Sequence, residues 1–196
     1  MCIICASKSG VRQPTERELF TMFQNNPHGA GYMTARHGMV TISKGYMDFD
    51  EFLNAVRKEH FTAQDSVVYH FRISTQAGIN PEMTHPFPLS NRLGRMMKLD
   101  TTCRIGVAHN GIIQLTSDPD NHRYSDTALF ITQYLTMLIK RREDLRDQRI
   151  LDTIWRLAQS KFAILDGGGY IATVGQFLNR DGLLFSNASF QGWRYR

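Results

Sequence analysis

The chain opens Met1-Cys2-Ile3-Ile4-Cys5-Ala6 and runs into Ser7-Lys8-Ser9-Gly10, and the reading of these ten residues decides the fold. An uncharged apolar run closed by Ser-Lys-Ser-Gly reads as a buried strand that begins at the very N-terminus. A terminus tied into a sheet is unusual, because the first residues of most domains are loosely held.

The segments that follow supply its neighbours. Thr15 and Glu18, just after Pro14, have capping-box spacing, and Leu19, Phe20, Met22 and Phe23 carry a helix that Asn25-Asn26-Pro27 stops. Ala30 to Ala35 and Met39 to Ser43 flank Arg36-His37-Gly38 as a hairpin. Asp48 and Glu51 repeat the capping spacing ahead of a helix with Phe49, Phe52, Leu53 and Val56 on one stripe. Ser66 to Ile73 is strand-like around Val67-Val68-Tyr69-His70-Phe71. From there to about Thr102 the chain reads as a loop rich in Pro, Asn and Gly, with a short extended piece near Pro86 to Leu89; so long a loop is either functional or misread.

Arg104 to Ala108 and Ile112 to Leu115 read as strands flanking Asn110-Gly111, the leading two-residue hairpin signal. Ser125 opens a helix through Leu129, Phe130, Tyr134, Leu135 and Leu138. The mixed-charge run from Lys140 to Arg149 reads as a solvated helix end, ahead of another helix around Ile154 to Ala158. Lys161 to Leu165, Tyr170 to Val174 and Leu183 to Phe185 are closing strands, the first two joined by a turn at Asp166 to Gly169. Strands at both ends with helices between them predict an α+β chain, and no linker, repeat or composition break divides residues 1–196.

Twelve Phe, seven Tyr and two Trp exclude a disordered chain. Net charge is +5, from 23 Lys and Arg against 18 Asp and Glu, but nucleic-acid binding needs a basic patch or an aromatic platform, and none is legible. The three cysteines, Cys2, Cys5 and Cys103, are an odd number, which argues against a disulfide framework and for a reducing compartment. No run approaches the roughly 18 apolar residues of a membrane span, and the first ten residues lack the basic start and apolar length of a signal peptide. The expectation is a cytoplasmic protein without a membrane partner.

Several residues carry possible chemistry. If Met1 is removed, the Cys2 thiol stands beside its own α-amine, whose ordinary pKa of about 7.7 to 8.0 suits a general base; left unprocessed, Cys2 is a small buried hydrophobe. Cys2 and Cys5 have CxxC spacing, but residues three apart on a strand face opposite ways, which speaks against a redox pair or a zinc knuckle. Arg72 leaves a strand ahead of Ser74, Thr75 and Gly78, where a guanidinium can clamp a carboxylate. His85 before Pro86 reads, by itself, as a hydrogen-bonded loop histidine. The Asn110 amide and the Gly111 N–H could converge on an oxyanion. Asp126, after Ser125 at a helix start, is a cap residue or an ammonium ligand.

In order along the chain, Met1-Cys2, His28-Gly29-Ala30-Gly31, Arg72-x-Ser74-Thr75 with Gly78, His85-Pro86-Phe87, His109-Asn110-Gly111 and Ser125-Asp126-Thr127 make it similar to the class II, N-terminal-nucleophile glutamine amidotransferases. The resemblance covers roughly residues 1 to 130, and Phe185-Ser186-Asn187 is compatible with the rest of such a domain. It implies a four-layer αββα sandwich, with two antiparallel sheets between helical layers, over the whole of 1–196. It also implies that Cys2 attacks the glutamine side-chain amide, that Asn110 and Gly111 hold the oxyanion, that Arg72 and Asp126 bind the α-carboxylate and α-ammonium, and that Ser74, Thr75 and His85 shape the pocket. No metal or other cofactor is implied. Glutamine is the implied substrate, and a separate synthase subunit the implied recipient of ammonia.

The chain departs from the family at Ile3, where Gly is common; at His28, where an acidic residue is common; at Ala128, where many members carry Glu; and in the extra residue between Arg72 and Gly78. An amidohydrolase for another amide and a non-enzymatic interaction protein of the same fold are the competing readings.

Overall fold

The computed structural model describes residues 1–73, 79–116 and 124–192. In it the N-terminal run is strand β1 (Ile3–Ser7), buried along its whole length. Alternation explains the composition. Ile3 and Cys5 enter one apolar cluster while Ile4 and Ala6 enter another, so neither face has a place for a charge.

Helix α1 (Glu16–Asn25) starts from the expected capping box. Thr15 Oγ1 accepts the Glu18 N–H at 3.2 Å, and Glu18 Oε2 accepts the Thr15 N–H at 2.8 Å. Arg12 grips the same carboxylate with both terminal nitrogens at 2.7 Å, and this, ahead of the Thr15 bonds, holds the Glu18 carboxyl down to about 2. Strands β2 (Ala30–Arg36) and β3 (Met39–Tyr46) form the expected hairpin, turned by His37 and Gly38 with φ of 51° and 77°, the signs a type I′ turn requires. Helix α2 (Phe49–Glu59) begins at Asp48, whose side chain accepts the N–H groups of Asp50 and Glu51. Strand β4 (Val67–Phe71) follows.

The expected long loop conceals structure. It holds a 3₁₀ turn at Pro81–Met83, β5 (Phe87–Pro88), α3 (Leu93–Met96) and β6 (Asp100–Cys103). Lys44 pins this stretch to β3: its buried Nζ donates to the carbonyls of Glu82 at 2.8 Å and Met96 at 2.7 Å, and lies 3.9 Å from the Phe87 ring centroid.

Strand β7 (Ile105–Asn110) corrects a second expectation. Asn110-Gly111 is not a hairpin turn, because β7 pairs with β5 and with β8 (Lys161–Asp166), and Gln114–Thr116 is a 3₁₀ turn. Helix α4 (Asp126–Phe130) continues through a π turn at Ile131–Leu135 into α5 (Thr136–Leu138). The charged run is not a helix end. Arg142–Arg146 is a 3₁₀ turn around buried Leu145, and α6 (Gln148–Ala158) starts within the run at an Asp147 cap. Strands β9 (Ile171–Val174), β10 (Leu178–Arg180) and β11 (Leu183–Phe185) close the chain, β10 being unforeseen.

Among the described residues the strands form two antiparallel sheets. One has the order β10-β11-β1-β4-β2-β3-β6 and the other β5-β7-β8-β9. Ile4, Ala6, Met33, Ile42 and Val68 of the larger sheet share a cluster with Ala108, Ala163 and Leu165 of the smaller. The opposite face of the larger sheet packs on α1 and α2 through Leu19, Met22, Phe23, Phe52 and Leu53. The opposite face of the smaller packs on α4 and α6 through Phe130, Leu151 and Ile154. No helix among the described residues is long and apolar enough to cross a membrane.

Candidate active site

Cys2 directly precedes β1, between the neighbours of that strand. Ile3 pairs with Phe71 of β4, and Cys5 pairs with Phe185 of β11. The Ile73 N–H points at Cys2 Sγ from 3.4 Å, and Sγ lies 3.6 Å from the Ile73 carbonyl. Burial pushes the Cys2 thiol up; the Ile73 N–H and then the Arg72 charge pull the other way. A thiol so placed keeps its proton at neutral pH until a base takes it. Met1 is 77% exposed, whereas Cys2 is only partly so.

Arg72 sits one residue beyond β4 and is buried. Its backbone is fixed by two bonds that extend the ladder: Arg72 N–H to Gly29 O at 2.8 Å and His28 N–H to Arg72 O at 2.9 Å. Burial presses on its charge, and Cys2 partly offsets this. The glycines of His28-Gly29-Ala30-Gly31 have a spatial reason. A Cβ at Gly31 would strike the His85 carbonyl, and one at Gly29, whose φ is +117°, would come within 2.5 Å of Thr84 Cγ2. Thr84-His85 can therefore lie directly on β2. His85 is buried there, with Nδ1 3.1 Å from the His109 carbonyl, which agrees with its bland reading as a hydrogen-bonded loop histidine. Ser74 and Thr75, with Gly78, lie outside the described residues.

Asn110 ends β7, and its side chain reaches towards the larger sheet. Its Nδ2 donates to Ser186 Oγ at 2.8 Å. Ser186 Oγ also accepts the Ile4 N–H at 2.9 Å, and the next residue, Asn187, donates from Nδ2 to the Cys2 carbonyl at 2.7 Å. The dipeptide after β11 thus fastens Asn110 to the strand that carries Cys2. Gly111 follows with φ +146°, and a Cβ there would approach Ser160 Cβ to 2.6 Å, so the position requires glycine for reasons other than a hairpin. No protein-family model and no curated protein matches this chain.

Asp126 borders the same turn. Its Oδ2 accepts the Ile113 N–H at 2.7 Å, and its Oδ1 accepts the Thr127 N–H at 2.7 Å. It therefore ties the segment after Gly111 to the start of α4. The Thr127 hydroxyl lies 2.8 Å from His109 Nδ1, and Ser160 Oγ 2.8 Å from His109 Nε2.

Residue reasoning gave Ser186 and Asn187 no contact with the site, and it missed His70 and the layer that it forms with His85 and His109. His70 Nε2 donates to the His109 carbonyl at 3.0 Å, and the His70 and His85 rings are 4.4 Å apart. Burial pushes His70 down to about 3 and His109 to about 4, with Asp126 opposing the shift at His109. Alternation within β4 was the available signal: His70 follows Val68 on the inward face, where a lone polar residue needs a partner. Among the described residues, no group of three or more His, Cys, Asp or Glu is placed to hold a metal.

Proposed function

We propose that this chain is a glutaminase of the class II glutamine amidotransferase type, built as a four-layer αββα sandwich. The order of its apolar clusters, helices on a sheet, sheet on sheet, and sheet on helices, supports that architecture. The observation that carries the function is the joint placement of Cys2 against the main chain of Ile73, beside the Arg72 charge, and its connection to Asn110 through Asn187 and Ser186.

In this reading, removal of Met1 frees the Cys2 α-amine. The amine takes the thiol proton, and Sγ attacks the amide carbon of the glutamine side chain. The carbonyl electrons move to oxygen, where the Asn110 amide and the Gly111 N–H receive them. The C–N bond breaks as the leaving nitrogen takes the proton from the α-ammonium, releasing ammonia and leaving a thioester. Water then cleaves the thioester to glutamate and restores the thiol. Arg72 binds the α-carboxylate and Asp126 the α-ammonium, with His85 as a neighbour of the pocket. Ammonia passes to a separate acceptor enzyme.

One observation favours the competing amidohydrolase reading: the Asp126 carboxylate already receives N–H groups from Ile113 and Thr127, so a substrate without an ammonium group suits it equally. Intact mass before and after 6-diazo-5-oxo-norleucine tests the main reading. Loss of Met1 and one adduct on Cys2 are expected; retained Met1 with no adduct overturns it. Arg72→Ala and Asp126→Ala should each raise KM for glutamine roughly 10- to 100-fold, the worth of a charged hydrogen bond. Indifference in both favours another amide.

A further inference from the structure

Asn110 Oδ1 is buried and has no hydrogen-bond partner. The other end of the same amide, Nδ2, donates to Ser186 Oγ, which also accepts the Ile4 N–H. A hydroxyl has two lone pairs and one proton. Here both lone pairs are taken, and the Ser186 proton meets no acceptor among the described residues, although the side chain is fully buried. An acceptor without a donor therefore stands beside a donor without an acceptor.

A half turn of the Asn110 amide about its terminal side-chain bond exchanges Oδ1 and Nδ2 and leaves every other atom in place. Ser186 then accepts from Ile4 and donates to Asn110 Oδ1. The amide NH₂ moves to the place of the unpaired oxygen. That place now presents a donor, which binds a developing oxyanion, instead of an acceptor, which repels one.

We propose that Ser186 is a positioning residue that selects this orientation of the Asn110 amide. The inference rests on the glutaminase reading above and adds to it a residue outside the reacting set. Ile4 directs the Ser186 hydroxyl, the hydroxyl directs the amide, and the strand that carries the nucleophile thereby aims the oxyanion donor. The serine backbone is held independently: its N–H donates to Ile4 O at 3.0 Å, and its carbonyl accepts from Lys161 Nζ at 2.6 Å. Removing the hydroxyl leaves those bonds in place.

Neutron diffraction from deuterated protein reads the orientation directly. Deuterons on the amide atom facing away from Ser186 support the proposal, and deuterons on the atom facing Ser186 overturn it, whether or not any Ser186 variant folds. In kinetics, Ser186→Ala should lower kcat for glutamine about 10- to 100-fold, less than the 10²- to 10³-fold typical of deleting an oxyanion donor, and leave KM within about twofold. Ser186→Thr should restore most of kcat, and Ser186→Ala should cost nothing further in an Asn110→Ala background. Wild-type kcat in Ser186→Ala, or losses that multiply in the double variant, overturns the proposal while leaving the glutaminase reading intact. Absence of turnover and of Cys2 labelling in the wild type instead removes that reading, and the role of Ser186 with it.

Discussion

The two faces of the larger sheet are made by alternate residues of the same strands, yet they are held by different forces. On the outer face, Ile3, Tyr32, Tyr69 and Phe71 pack against α1 and α2, with the Phe52 ring centroid 5.2 Å from that of Phe71 and 6.4 Å from that of Tyr32. On the inner face, one residue along, Ile4 and Val68 give way to His70, and Ser186 and Asn110 close the same end. The outer face is satisfied by volume. The inner face, apolar elsewhere, is satisfied at this end by particular donors meeting particular acceptors, so adjacent positions such as His70 and Phe71 fail for different reasons.

The sharpest test of that contrast is Phe52→Ala. Phe52 is fully buried on the outer face, and its loss should cost about 3–5 kcal/mol in urea unfolding. Turnover per folded molecule should stay unchanged; a fall in kcat would show that the two faces are coupled.

Between about pH 6.5 and 5 acid should act chiefly through two buried histidines, His70 on the inner face and His109 on the side of the smaller sheet that faces α4. His70 and His109 fold in the neutral form, with pKa values pushed down to about 3 and about 4, so the unfolded chain binds more protons below the ordinary value of about 6.5. Stability from this source is complete above that value and falls as pH drops towards 4, by roughly 2 kcal/mol for each of the two between pH 6.5 and 5. His85, pressed the same way by burial, adds to the loss, and Lys44 and Arg72 deepen it at His70. Denaturation midpoints measured across this range check the slope. Phe52→Ala should shift the whole curve without changing its shape. The smallest effect is expected at Thr15→Ala, which removes one half of the α1 capping box for about 1 kcal/mol and should leave turnover and the slope between about pH 6.5 and 5 nearly unchanged.

The same contrast explains how much could be read from the residues. The outer face announces itself locally: the α1 capping box, the Asp48 cap of α2, the apolar stripes of both helices, the His37-Gly38 turn and the uncharged run of β1 each need only a few neighbouring residues. Most elements were legible for that reason. Asn110-Gly111 was misread because its turn signal is local, while the partner that decides β7 is β8, some fifty residues on. Strand β6 is short and pairs with β3, and α3 is a single turn, so neither carries enough periodicity to stand out from a loop. In the site, Cys2, Arg72 and Asn110 could be named from their types and order. The contacts of Ser186 could not be foreseen, because its partners Ile4 and Asn110 lie 182 and 76 residues away.

That separation sets a timetable for assembly. Cys2 rests on Ile73, and its carbonyl is gripped by Asn187, so its seat is finished only when the residues after the closing strand are made. At synthesis rates of about 5–20 residues per second, the interval is on the order of ten to forty seconds. During it, the N-terminus has no β11 to pair with. In the glutaminase reading proposed above, removal of Met1 during this interval would uncover Cys2 before the sheet that confines it has closed.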